Sequence, residues 1–78
     1  MIRAIIEETC ARWGVTEDDL RGPARRRHIA WARQEAFARL IDETPLSTSA
    51  IAEIFDRDHS TVVKGEQACR QRIQQGVH

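Results

Sequence analysis

The sequence predicts an all-α fold, a small helical bundle that ends in a helix-turn-helix. Three observations lead there. Apolar residues recur at intervals of three and four along most of the chain, the period of a helix with one buried face, and no stretch alternates with the period of a strand. Residues that start and stop helices punctuate those segments: Gly14, Thr16, Gly22-Pro23, Thr44-Pro45, Ser47 and Asp58. In the last third, two helical patterns are separated only by Asp56-Arg57, the spacing of a helix-turn-helix.

The first segment runs from Ile2 to Trp13. It places Ile2, Ile6, Thr9 or Cys10, and Trp13 on one face and Glu7, Glu8 and Arg12 on the other. Gly14 ends it, as glycine does just past a last turn. Thr16 is suited to cap a short helix ending near Leu20, with Glu17, Asp18 and Asp19 at the positive end of its dipole. Ala24 to Arg26 carries no apolar period and reads as a loop. A long helix then runs from Arg27 to Glu43 and buries Ile29, Ala32, Ala36, Phe37 and Leu40. Thr44-Pro45 ends it, because the residue before a proline is disfavoured in helix. Ser47 caps a helix over 48–55 with Ile51, Ala52 and Phe55 facing inward. Asp58 is placed to cap the last helix, His59 to about Gln74, whose core contacts are Val62, Val63 and Ile73. Trp13 reads as core, whereas Trp31 falls off the buried stripe of its helix and reads as exposed.

Length and composition bound what such a bundle does. The chain has 78 residues, 41% of them hydrophobic, enough for one modest core and a single domain over 1–78. It is too short for an ATPase module, and neither GxxxxGK nor GxGxxG occurs. With no positioned acid–base pair either, an enzyme is not expected. No apolar run approaches the ~20 residues of a membrane span, and the N-terminus lacks the pattern of a signal peptide. A cytoplasmic, nucleoid-associated protein with no membrane partner is the expectation. Cys10 and Cys69 are far apart with no CxxC and read as buried or half-buried thiols in a reducing compartment. His28, His59 and His78 have no metal-ligand spacing with them, so neither metal nor cofactor is expected.

Charge is segregated along the chain. Twelve basic and twelve acidic residues cancel to zero overall. Residues 1–20 carry net −3, 21–39 net +5, 40–56 net −4 and 57–78 net +2. A local patch, not the total, decides what docks. A dense arginine block and a weaker second one suit phosphate contact.

In a helix-turn-helix the start of the second helix enters the major groove and reaches base edges. Here those residues are Asp58, His59, Ser60 and Thr61. Asp58 accepts from a cytosine or adenine amino group, Thr61 offers a methyl and a hydroxyl, and His59 and Ser60 donate to bases or phosphates. The same four residues also make an ordinary helix start. The run Arg25-Arg26-Arg27 is suited to a narrow minor groove, where the potential is most negative, although such a run is also commonly just solvated. Arg33, Gln34 and Lys64 fit phosphate contact, and equally fit a solvent-facing helix surface.

The stretch Arg57-Asp58-His59-Ser60-Thr61-Val62 resembles the signature of the C-terminal DNA-binding domain of the bacterial replication initiator family DnaA, which typically reads Arg-Asp-His-Thr-Thr-Val. The resemblance extends back through Leu46-Ser47, Arg33-Gln34, the arginine run, Leu20 and Ile5-Ile6, covering roughly residues 5 to 73. It implies a bundle of the DnaA domain IV or Trp repressor type. It implies that the position of Arg25 enters the minor groove, and that Asp58, His59, Ser60 and Thr61 read the major groove of the family's box. Arg33 and Gln34 would lie near phosphates, and Ser49 matches a position that touches a base through a proline in some members. With them the helix start Ser47-Thr48 and Arg57 complete the expected double-stranded DNA site. Three departures bear on which box is preferred: Ser60 stands for the usual threonine, Ser49 for the usual proline, and the turn Asp56-Arg57 is one residue shorter than the usual Gly-Gly-Arg.

Three functions are compatible with these features. A stand-alone, sequence-specific transcription regulator of the phage or gene-transfer-agent type fits an intact helix-turn-helix without the family's motor domain. RNA polymerase or another replication or transcription protein is its expected partner. A replication-linked protein, either the box-binding domain of an initiator or a competitor for its boxes, is the second. A protein-interaction module that lost DNA binding is the third, suggested by zero net charge and an exposed Trp31. The oligomeric state is left open by the sequence.

Overall fold

The computed structural model describes residues 1–23 and 26–76. Among these residues five helices follow in order: α1 (Ile2–Trp13), α2 (Glu17–Arg21), α3 (Arg27–Glu43), α4 (Thr48–Ile54) and α5 (His59–Gln74). The all-α bundle with a helix-turn-helix is thereby the fold. The longest helix, α3, is its axis: the other four all pack against it, and α4 packs also on α5.

Local chemistry explains each boundary. Gly14 ends α1 with φ 66°, a left-handed conformation that glycine adopts without cost. The Val15 N–H then returns to the Cys10 carbonyl at 3.0 Å. Thr16 and Asp19 form a capping box on α2: the Asp19 N–H donates to Thr16 Oγ1 and the Thr16 N–H to Asp19 Oδ2, both at 3.0 Å. Ser47 caps α4 by accepting from the Ala50 N–H at 3.1 Å. Phe55 serves as the C-cap of α4, which therefore stops one residue short of the range its apolar pattern suggests.

One core holds the helices together. Ile5 and Ile6 of α1, Leu20 of α2, Phe37 and Leu40 of α3, Ile51 of α4, Phe55 and Val62 are almost wholly buried. The Phe37 and Phe55 rings meet edge to face, 5.2 Å between centroids. Buried Thr9 is satisfied by donating to the Ile5 carbonyl at 2.8 Å. The α1 stripe is wider than its spacing suggests: Ile5 is as buried as Ile6, while Ile2, Cys10 and Trp13 are partly buried at the edge of the core.

The helix α5 departs most from expectation. Its buried positions are Val62, Gly65 and Cys69. A Cβ on Gly65 would sit 2.8 Å from Phe37 Cδ2 and 3.1 Å from Cε2. The α3–α5 contact thus requires a residue without a side chain there. Val63 is only half-buried. Ile73 is 54% exposed, not core. It continues the α5 stripe in phase, but in that turn Arg72 covers α3, its guanidinium 4.4 Å from the Trp31 ring centroid. Trp31 in turn is half-buried, not exposed. It meets Trp13 edge to face at 6.5 Å, and Arg27 lies 5.7 Å from its centroid.

Candidate nucleic-acid interface

The turn before α5 is built by Asp56, the one described non-glycine residue with positive φ, 53°. Aspartate tolerates this left-handed region better than most side chains. The Arg57 N–H then reaches back to the Ala52 carbonyl at 2.8 Å. One left-handed residue thus closes the α4–α5 turn.

Beyond the turn, Asp58 takes the N-cap position of α5. Its carbonyl accepts from the Thr61 N–H at 3.0 Å, but its carboxylate makes no capping hydrogen bond. The side-chain cap expected of Asp58 is therefore absent. Asp58, His59, Ser60 and Thr61 are all exposed. Their polar atoms stand at a helix N-terminus, where the first backbone N–H groups lack intrahelical partners and the dipole favours anions.

A groove of about 350 Å³ runs beside this helix start, between α3 and α5. Ala30, Arg33, Gln34 and Phe37 line one wall, and Thr61, Lys64, Gly65 and Ala68 the other. Lys64 is exposed at its lip. The fold thus brings Gln34, Thr61 and Lys64 together. At the N-terminus of the adjacent α4, Ser47 and Ser49 are exposed and Thr48 is half-buried.

Two candidate arginines turn inward instead. Arg33 donates from Nε to the Leu20 carbonyl at 2.7 Å and from Nη2 to those of Asp19 and Gly22 at 3.1 and 3.2 Å. Arg57 also donates to the Gly22 carbonyl. The two side chains cap the C-terminal end of α2, where cations are favoured. Burial first, and the nearby Arg57 charge second, hold the Arg33 pKa below its usual range. Arg26 is the exposed N-cap residue of α3, without a side-chain cap bond, and Arg27 is exposed. Arg25, and with it part of the loop expected over Ala24–Arg26, lies outside the described residues.

Ion pairing accounts for half of the acidic residues. Among the described residues, Glu8, Glu17, Glu35, Asp42, Glu43 and Glu66 pair with Arg3, Arg12, Arg21, Arg39 and Arg70. Arg39 bridges Glu43 and Glu8, and Arg70 bridges Asp42 and Glu66; these hydrogen bonds raise both guanidinium pKa values. None of those pairs uses Arg26, Arg27, Arg57 or Lys64. Asp56 and Asp58 are in none of those pairs either, so Arg57 and Lys64 share the α5 start with two exposed carboxylates, while Arg26 and Arg27 stand exposed at the start of α3.

Residues missed by sequence reasoning are Gly22, Gly65 and Arg72. An isolated glycine inside a helical pattern is the one signal that could have pointed to Gly65. Among the described residues there is no group of His, Cys, Asp or Glu suited to hold a metal, and no helix is long and apolar enough to cross a membrane.

The family described as the bacterial dnaA protein helix-turn-helix matches residues 2–69. Curated relatives named chromosomal replication initiator protein DnaA are similar over most of this chain. That of Oleidesulfovibrio alaskensis is 38% identical over 64 residues, 82% of this chain and 14% of the relative. That of Nostoc punctiforme is 41% identical over 61 residues, 77% and 13%. That of Mycobacteroides abscessus is 37% identical over 75 residues, 88% and 15%. The chain spans about one seventh of the length of these relatives.

Proposed function

The chain belongs to the bacterial DnaA helix-turn-helix family, and from that premise we propose that it binds double-stranded DNA sequence-specifically through the start of α5. The observation that carries this reading is the exposed run Asp58-His59-Ser60-Thr61, whose first carboxylate the fold leaves unused for capping. A helix start placed in the major groove puts such side chains against base edges. Asp58 accepts from an exocyclic amino group, His59 and Ser60 donate, and Thr61 brings a methyl to thymine. Lys64 and Gln34, across the groove, take the flanking phosphates. Exposed Ser47 and Ser49, with Thr48, stand at the neighbouring helix start for a second set of backbone contacts. Arg25, Arg26 and Arg27 supply the charge for an adjacent minor groove. Arg33 and Arg57, engaged with the end of α2, act by holding that frame.

The same reading makes it a small transcription regulator, which blocks or recruits by occupying its site, with RNA polymerase or a replication or transcription protein as partner. It works as a binder, not a catalyst, in the cytoplasm at the nucleoid. A second, replication-linked reading is favoured by the names of the relatives, which are replication initiators. Mapping the DNA bound by the protein in cells separates the two: occupancy at promoters supports the regulator, and occupancy confined to the replication origin supports the second reading. Absence of bound DNA in cells and in vitro would leave an interaction module instead.

A further inference from the structure

The groove beside α5 contains one side chain whose chemistry depends on which way it faces. The Gln34 carboxamide carries an acceptor oxygen at one corner and two donor hydrogens at the other. Arg72 Nη1 donates to Gln34 Oε1. With the oxygen committed to Arg72, the Nε2 amino group is the corner left for the groove, whose other wall brings the Thr61 hydroxyl and the Lys64 ammonium. Arg72 is itself held: its guanidinium stacks 4.4 Å from the centroid of the half-buried Trp31 ring, which is further fixed edge to face by Trp13. A guanidinium lying on an indole is attracted by the ring quadrupole. The planar fork therefore points its N–H at Gln34 with little freedom to turn away.

We propose that Arg72, seated on Trp31, is a positioning residue for DNA: it fixes the Gln34 carboxamide so that its amino group, not its oxygen, meets a backbone phosphate. This rests on the DNA-binding reading above. Without Arg72 the amide is free to rotate and present its oxygen, which repels phosphate.

The test is a double-mutant cycle on the purified chain, using a duplex that the wild type binds. Gln34→Ala and Arg72→Met each weaken binding about 5-fold, the worth of one ordinary hydrogen bond. Together they weaken it about 5-fold as well, because the second change removes nothing that the first has left in place. An additive loss of about 25-fold overturns the proposal. The salt dependence of Arg72→Met stays at the wild-type slope; a slope lowered by about 1 shows that Arg72 meets phosphate itself and also overturns it. Arg72→Lys keeps the charge without the fork and behaves like Arg72→Met, which covers the case of a poorly folded methionine variant.

A second measurement needs no DNA. The Gln34 side-chain amide resonances in ¹⁵N-labelled protein shift in Arg72→Met, and an unchanged pair contradicts the positioning role. If the wild type binds no duplex, the functional reading fails, while the amide resonances still decide the orientation of Gln34.

Discussion

Arg33 and Arg57 donate to the same oxygen, the carbonyl of Gly22, one from the middle of α3 and the other from the turn before α5. Two positive side chains converge on a helix C-terminus whose carbonyls would otherwise lack partners. The contact ties α2 to the helix-turn-helix across the chain. Hydrogen bonds from a charged donor are worth roughly 1.5–3 kcal/mol each to stability when the partner is not rehydrated. Because this site is only half-buried, water replaces part of what is lost. Arg33→Met is expected to lower unfolding free energy by about 2 kcal/mol in urea titrations. Lys64→Met, on the exposed lip, should change it by less than about 0.5 kcal/mol. Equal stability of the two variants would remove the structural role of Arg33.

Gly65 offers a test of close packing. Alanine is favoured over glycine in a helix interior by about 1 kcal/mol. Against this, the new methyl meets Phe37 Cδ2 at 2.8 Å, so the Phe37 ring, buried edge to face against Phe55, must shift. Overpacking of this kind costs about 1–3 kcal/mol. Gly65→Ala is expected to destabilise by about 1 kcal/mol net, read as a lower thermal midpoint. A raised midpoint would mean that α3 and α5 are farther apart than described.

Asp56 carries the strain of the short turn. At φ 53° a glycine is unpenalised, whereas a β-branched residue clashes. Asp56→Gly should stabilise by about 0.5 kcal/mol, and Asp56→Val should destabilise by about 1–2 kcal/mol. The opposite order in denaturant midpoints would contradict the left-handed turn.

His59 stands clear of the fold, so His59→Ala should leave the melting temperature unchanged and weaken binding to a preferred duplex by about 10-fold, the range of one lost base contact. Lys64→Gln should weaken all duplexes alike and lower the log–log salt slope by about 1. A sequence-dependent loss at Lys64 would exchange these two roles.

Much of this was legible in the chain. The run from Arg27 to Glu43 shows its period and its proline stop, and Thr16 shows itself as the cap of α2, because both signals are local. The start of α5 was legible through the Arg57–Val62 motif. What escaped depends on contacts between distant elements. Arg33 and Gln34 adjoin in sequence, yet one turns inward to α2 and the other faces the groove. Ile73 keeps the phase of a core residue, but Arg72 lies over Trp31 in that turn. Trp31 falls off the stripe that faces the main core and is half-buried all the same, since Trp13, Arg27 and Arg72 gather around it from other helices and from the preceding turn. Period alone says which face a residue takes, not which neighbour covers it.

Selection of the purified 78-residue chain against random duplex DNA, read by sequencing and repeated with His59→Ala, is the decisive experiment. One enriched motif for the wild type, lost or altered at a single base position in the variant, is the expected result. Enrichment that is absent, or identical for both proteins, would contradict base reading by the start of α5.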